Sequence, residues 1–298
     1  IEKAMVVSSV MAQFLIDSDI KLNQKIIDIV DIDSDKWQQY SDMKSWPMSW
    51  VYRREAKTLL EYEKQAVNHF DATLFVSSAE ADMFKKKVSV SHEKIGFYNN
   101  GVDSDFFMPS DGFLSPYAKD IITIVFTGAM DYWPNIDAVK WFVKEVFPTI
   151  KAETPALRFY IVGSNPSDEV YQLEQQEGVK VTGRVEDIRP YIQYAAFVVA
   201  PMRIARGIQN KVLEAMSMEK VVIVSTMGLE GINAQHSKDV IVADTASEFI
   251  SAIRGLTDNS AANIGLAARN TVKKEFNWNQ SLPLVKKLLE ENKQEVQL

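Results

Sequence analysis

The stretch Ala196–Ser225, AFVVAPMRIARGIQNKVLEAMSMEKVVIVS, carries the strongest fold signal in the chain. Ala196–Ala200 is a short apolar run and Val221–Ser225 is another. Short valine-rich runs of this kind fit strands buried on both faces of a parallel sheet. Between them, Ile208, Val212 and Met216 recur at i, i+4 and i+8. That spacing puts them on one face of a helix predicted over Ile208–Met218. Strand, helix and strand in this order make a crossover unit, and such sheets bind ligands at the carboxyl ends of their strands.

The same alternation extends in both directions. Strands are predicted at Ile121–Phe126, Leu157–Val162, Val179–Thr182 and Val240–Val242. Helices fall near Asn135–Phe147, Ser167–Glu174, Asp187–Tyr194, Ala246–Thr257 and Ser260–Phe276. Upstream, strands are predicted at Ala4–Ser8, Lys25–Asp31, Ala72–Val76 and Lys94–Tyr98. Helices follow and separate them: one after the first strand up to Ile16, one near Asp35–Lys44, one from Pro47 to about His69, and one over Ala79–Lys86. Asn99–Lys119 breaks the pattern with Asn99-Asn100-Gly101, Pro109, Ser110-Asp111-Gly112 and Pro116, and reads as a linker. The expectation is an α/β chain of two doubly wound, Rossmann-like domains, residues 1–112 and 113–280. The first domain is expected to lack its beginning, because the chain opens at Ile1 with only four strands before the linker. A last helix, Ser281–Lys293 within 281–298, is expected to return to the first domain through Leu282, Val285, Leu288 and Leu289.

Composition narrows the function classes. The 298 residues are 46% hydrophobic and 24% charged, which excludes a largely disordered chain. The net charge of −7 argues against nucleic acid as a partner. Without cysteine there is no disulfide, thiolate metal site or cysteine nucleophile. No apolar run reaches the length of a membrane span, and no signal peptide is evident. Together with the missing cysteines, this fits a reducing compartment such as the cytoplasm.

Within the central helix, Gly207, Asn210, Lys211 and Glu214 share the face opposite the apolar one. A helix N-terminus with Lys211 attracts an anion, Gly207 permits close approach, and Glu214 can accept bonds from hydroxyls. An ordinary amphipathic helix with a solvated Lys–Glu pair explains the spacing equally well.

Further residues break the tie. Lys211-Val212-Leu213-Glu214-Ala215-Met216, then Lys220–Ser225, then Gly228-Leu229-Glu230-Gly231-Ile232 resemble the donor-binding segment of retaining GT-B glycosyltransferases. Asn100-Gly101-Val102-Asp103, Phe107, Pro109, Phe126-Thr127-Gly128, Ile161-Val162-Gly163, Thr182-Gly183-Arg184-Val185, Asp187 and Trp278 extend the resemblance in order. A narrower likeness is to the sugar transferases associated with PEP-CTERM/exosortase polysaccharide systems. It is carried by Asp31–Trp37, Trp46-Pro47, Arg53-Arg54-Glu55, Gly128–Asn135 and Ala205–Lys211.

The resemblance implies transfer of a sugar, with retention, from a UDP- or GDP-sugar to a saccharide or lipid-linked acceptor in exopolysaccharide synthesis. It implies no cofactor and no metal, and it leaves open a peripheral membrane contact. Lys211 is implied to contact donor phosphate, Glu214 the ribose, and the Gly183–Arg184–Val185 turn the base, while Gly128 lets the backbone approach the donor. Asn210 and Gly207 complete the donor-binding set. Two positions depart from the superfamily pattern: Arg206 stands where a second glutamate is common, and Ala129 where an arginine is. Arg206, with Arg203, is therefore expected to neutralise the diphosphate. Two other readings stay open: a non-catalytic nucleotide-binding fragment, and a nucleotide-sugar epimerase of the same architecture.

The run Asp31-Ile32-Asp33-Ser34-Asp35 invites a metal reading. A calcium loop, however, needs Gly at its sixth position and Glu at its twelfth, where this chain has Lys36 and Asp42. A helix start capped by Asp33 or Ser34 is the plainer reading, with Asp31 and Asp33 as candidates for lining a cleft. His69, His92 and His236 show no ligand spacing. Trp37, Tyr40, Trp46, Trp50 and Tyr52 suit either helix packing or an acceptor platform. Lys85-Lys86-Lys87 closes a helix, where cations suit the dipole.

Overall fold

The computed structural model describes residues 1–88 and 92–290, which divide into two α/β units. Unit 1 comprises Ile1–Gly101, Arg206–Ile208 and the chain from Trp278 onward. Unit 2 comprises Val102–Ala205 and Gln209–Asn277.

In unit 1 the elements run β1 (Lys3–Val7), α1 (Gln13–Ile16), β2 (Gln24–Val30), α2 (Asp33–Met43), α3 (Met48–His69), β3 (Ala72–Phe75), α4 (Ser78–Lys87) and β4 (Ile95–Phe97). The four strands are parallel and pair in sequence order. Right-handed crossovers that all step the same way lay their helices on one face of the sheet. There Ile27, Ile29, Phe75 and Ile95 meet Ala66 and Val67 of α3 and Ala81 and Phe84 of α4. Alternate strand residues point to the other face. Ile26 and Leu74 are buried there under the C-terminal helix, Trp278–Glu290, through Leu284, Val285 and Leu288.

That helix begins three residues earlier than expected, and its inward face is Ser281, Leu284, Val285 and Leu288. Leu282 and Leu289, expected on that face, are exposed. The observed set has offsets 0, 3, 4 and 7, the spacing of a single helical face. The expected end at Lys293 lies outside the described residues.

In unit 2 the order is β5 (Ile122–Thr127), α5 (Trp133–Trp141), α6 (Phe147–Glu153), β6 (Leu157–Val162), α7 (Asp168–Tyr171), β7 (Val179–Gly183), α8 (Arg189–Tyr194), β8 (Phe197–Ala200), α9 (Asn210–Ser217), β9 (Val222–Val224), β10 (Ile241–Val242), α10 (Ala246–Gly255) and α11 (Asp258–Glu275). Its parallel sheet is ordered β10-β9-β8-β5-β6-β7. The direction of winding reverses between β5 and β8, so helices cover both faces and a crevice opens at their carboxyl ends. Ile124, Phe126, Phe142, Phe159, Ile161, Val199 and Phe249 lie in its main core.

Three expectations are corrected here. The helix predicted from Ile208 starts at Asn210, because Gly207 is left-handed (φ +67°) and Gln209 is still extended. The helix predicted to stop at Phe147 continues to Glu153 through a wide π turn at Phe142–Val146. Pro148 lacks the N–H that a regular turn would use, and the π turn accommodates it. The boundary expected at 112/113 falls at Gly101/Val102. The turn-rich segment after it is pinned onto unit 2 rather than free. Val102 N–H donates to Phe276 O at 2.8 Å, Ser110 and Gln193 exchange hydrogen bonds of 2.8 and 2.9 Å, and Tyr117 Oη donates to Tyr191 O at 2.6 Å.

Candidate functional site

In unit 2 the loops leaving β5, β6 and β7 are drawn together by their glycines. Gly128 N–H donates to Val162 O at 3.0 Å, and Gly163 N–H to Gly183 O at 3.3 Å. A Cβ on Gly163 would lie 1.7 Å from Gly128 O, so only glycine allows this approach.

Lys211 is the second residue of α9. Side chains on a helix lean toward its N-terminus, which carries the Lys211 ammonium back to the end of β5. There it donates to Asn135 Oδ1 and stands 4.6 Å from the Phe126 ring centroid. A Cβ on Gly128 would be 2.7 Å from Asn135 Nδ2 and 3.3 Å from Lys211 Nζ. Asn135 is itself buried and held by Ala129 O at 2.9 Å. Burial pushes the Lys211 pKa down to about 7, and the Glu214 carboxylate one turn along opposes the shift. Burial likewise raises Glu214, with Lys211 opposing. The pair is thus half-buried, with burial shifting each group toward its neutral form, and not the solvated surface pair that spacing alone allowed.

A cavity of about 820 Å³ adjoins the glycines, lined by Phe106, Gly128, Gly163–Asn165 and 184–189. That volume suits a nucleotide-sized ligand. Its far wall is a preformed plate. Asp187 holds Arg189 through both carboxylate oxygens, at 2.9 and 2.7 Å, and the guanidinium lies 3.8 Å from the Phe106 ring centroid. The Arg189 guanidinium beside Asp187 keeps that carboxyl below the usual range.

The structure therefore brings together Gly128, Arg184 and Val185 around one cavity, with Gly183 ending β7. Lys211 is at the Gly128 edge, and Asn210 and Glu214 lie on the same helix. Arg203 is not part of this group: its guanidinium forms a two-pronged pair with Asp137 of α5, at 2.9 and 2.6 Å. Phe106, Asn135, Asn165 and Arg189 escaped the sequence reading as site residues. Asn135 had the only usable signal, since it closes the quoted Gly128–Asn135 motif.

Arg206 and Gly207 fall in unit 1. Arg206 Nε donates to Asp35 Oδ2 at 2.5 Å, and Asp35 also pairs with Lys87. Burial raises the Asp35 carboxyl, but Lys87 and Arg206 outweigh this and hold it below its ordinary value. A Cβ on Gly207 would fall 1.8 Å from Asp31 Oδ1. Asp31 and Asp33 face Lys36 at 3.9 and 3.0 Å. The acidic run thus starts α2, with Asp31 and Asp33 sharing Lys36 while Asp35 turns to Arg206 and Lys87. Neither Asp33 nor Ser34 is the N-cap, which is Ile32. Two buried glutamates serve instead. Glu80 Oε2 accepts from Ile32 N–H at 2.9 Å, and Glu63 Oε1 accepts from Ser34 N–H at 3.0 Å.

Residues 121–259 match the family model described as glycosyl transferases group 1. A curated relative, an uncharacterized 44.6 kDa protein in the cps region of Klebsiella pneumoniae, is 20% identical over 214 residues, 67% of this chain. The chain spans about half the length of that relative, 50%. Among solved structures, sucrose-phosphate synthase of Thermosynechococcus elongatus superposes with a TM-score of 0.75 at 16% identity, covering 96% of this chain and 72% of that one. HepE of Anabaena, in complex with UDP and glucose, gives 0.73 at 15% identity, covering 96% and 78%. TarM gives 0.72 at 14% identity, covering 97% and 55%. The fold is that of GT-B glycosyltransferases.

Proposed function

With residues 121–259 matching a glycosyl transferases group 1 model, we propose that this chain moves a sugar from a UDP- or GDP-sugar to a saccharide or lipid-linked acceptor in cell-surface polysaccharide synthesis. The relative from a cps region supports the polysaccharide setting. The observation that carries the reading is the Lys211 ammonium at Gly128, on the rim of the cavity and at the N-terminus of α9.

In the transfer, the bond between the anomeric carbon and the diphosphate oxygen breaks, and a bond to an acceptor hydroxyl oxygen forms. The hydroxyl proton is released, and negative charge builds on the departing nucleoside diphosphate. Retention of anomeric configuration is part of the proposal. Lys211 and the first amides of α9 are the groups proposed to stabilise that charge, because preorganised donors in a desolvated site act without reorganising. Glu214 is assigned to ribose hydroxyls. Gly183, Arg184 and Val185 are assigned to the base side, with the Phe106–Arg189 plate beside them. Arg203 and Arg206 enter only in a secondary role, since each is already ion-paired.

Calorimetry with UDP, GDP and uridine tests this. A charge-assisted hydrogen bond is worth about 1.5–3 kcal/mol, so Lys211→Ala should weaken nucleoside diphosphate about ten- to a hundredfold. Glu214→Ala should weaken nucleoside and nucleotide alike. Both effects should persist in EDTA. Unchanged affinity in both variants would place the donor elsewhere. Consumption of donor without any acceptor would favour an epimerase or hydrolase.

A further inference from the structure

The hairpin between α2 and α3 ends in an uncovered apolar tip. Trp46 is 80% exposed and Trp50 60%, with Met43 and Met48 at 41% each. Helix packing does not account for these two indoles. The rings that hold the hairpin together are Trp37, Tyr40 and Tyr52, whose centroids lie 5.3–6.1 Å apart.

Cations surround the tip. Trp50, Arg53, Arg54 and Lys57 have offsets 0, 3, 4 and 7 and share one face of α3, where they line a shallow hollow of about 370 Å³. Lys44 stands two residues before Trp46. Residues 43–58 hold four cations and one carboxylate, Glu55, in a chain whose net charge is −7. Among the described residues Arg53 and Lys57 have no ion-pair partner, and Arg54 reaches only Glu55, at 4.0 Å. By contrast Lys87, of the basic run Lys85-Lys86-Lys87, is engaged by Asp35.

We propose that this hairpin tip docks on a bilayer surface that carries anionic lipid. The tip exposes two indoles and two methionines beside the cations of α3, and the adjoining hollow is shallow, so it suits insertion rather than the capture of a partner's side chain. Indoles rest at the headgroup level because one edge is polar and the body is apolar. Arg53, Arg54 and Lys57 would meet lipid phosphates, and each cation near such a surface strengthens binding about fivefold. None of the described helices is long and apolar enough to cross a membrane, so the contact is one of surface docking. The inference stands on unit 1 alone and does not rest on the proposed transferase activity.

Co-sedimentation with vesicles tests it, using phosphatidylcholine alone and phosphatidylcholine with one-third phosphatidylglycerol. Binding is expected to the anionic vesicles only, and it should fall in 0.5 M salt. Arg53→Glu with Arg54→Glu should weaken it by more than tenfold. Trp46→Ser with Trp50→Ser should weaken it while leaving the melting curve in place, since both side chains are exposed. A control of equal charge change on unit 2, Lys238→Glu with Lys274→Glu, should leave binding within about twofold, below the fivefold effect of a single rim charge. Three outcomes would overturn the proposal. They are no binding to anionic vesicles, equal loss in the control pair, and retention of an acidic polysaccharide or peptide by the Trp46 and Arg53 surface without vesicle binding.

Discussion

Lys211 donates its ammonium proton to Asn135 Oδ1 at the end of β5, directly beside the Cα of Gly128. The ammonium is held by a neutral amide and an aromatic face, and Glu214, the counter-charge that acts on it among the described residues, is itself raised by burial. It is therefore poised to gain more from an arriving diphosphate than a solvated lysine would.

This gives a pH signature. Burial sets the Lys211 pKa near 7, so the side chain is largely neutral at pH 8.5 and charged at pH 6. The charged form binds the anion, so affinity for a nucleotide sugar should rise as pH falls from 8.5 and level off below about 7. Binding at pH 8 should take up a proton, measured by calorimetry in two buffers of different ionisation enthalpy. Lys211→Arg stays charged throughout and should abolish the uptake. Equal uptake in wild type and Lys211→Arg would remove Lys211 from the site.

Gly163→Ala should damage the site more than the fold class suggests. The new Cβ would meet backbone, Gly128 O at 1.7 Å, not a flexible side chain, so the loops after β5 and β6 must separate. A loss of about 1–3 kcal/mol in stability is expected, as for overpacking, with weakened nucleotide binding. Chemical denaturation and calorimetry on the same preparation check both.

Arg203 and Arg184 should behave oppositely. Arg203 is tied to Asp137 at the surface, so Arg203→Ala should change donor affinity less than twofold and stability by about 0–1 kcal/mol. Arg184 lines the cavity and is exposed, so Arg184→Ala should weaken nucleotide binding severalfold without lowering the melting temperature. The reverse pattern would return the diphosphate to Arg203.

Glu63 makes stability depend on pH. It is fully buried and accepts from Ser34 N–H and Oγ, at 3.0 and 2.5 Å. Burial pushes its pKa up from 4.5 to about 7, with the Ser34 bonds opposing. A carboxyl whose folded pKa is raised binds more protons folded than unfolded. Its contribution is full below pH 4.5 and is lost as pH rises through 7. Glu63→Gln keeps an acceptor for Ser34 N–H and should flatten the fall in stability between pH 5 and 7.5. Glu63→Ala leaves that amide buried and unpaired and should cost about 1–3 kcal/mol at all pH values. Melting curves across pH distinguish the two.

Elements that depend on local period and local chemistry were legible in the chain. The apolar runs at Ala196–Ala200 and Val221–Ser225 are strands or strand edges in place, and the helix bearing Lys211 and Glu214 on one face exists. Gly128 and Gly183 stood out through the family resemblance; a Cβ on Gly128 would meet Asn135 at 2.7 Å, and Gly183 holds a left-handed φ of +69°. Tertiary structure decided what local period does not encode. Asn135 and Asp137, two residues apart on α5, take Lys211 and Arg203, which are eight apart in the chain. The pairing turns one cation into a desolvated base and the other into a surface ion pair. Glu63 and Glu80 cap a helix from 29 and 48 residues away, so the Asp33 and Ser34 side chains are not its cap. The inward stripe of the last helix, Leu284, Val285 and Leu288, follows from the bare face that a four-strand sheet wound in one direction leaves open. Burial and partner choice depend on atoms distant in sequence, and these set the charge states on which the proposed chemistry rests.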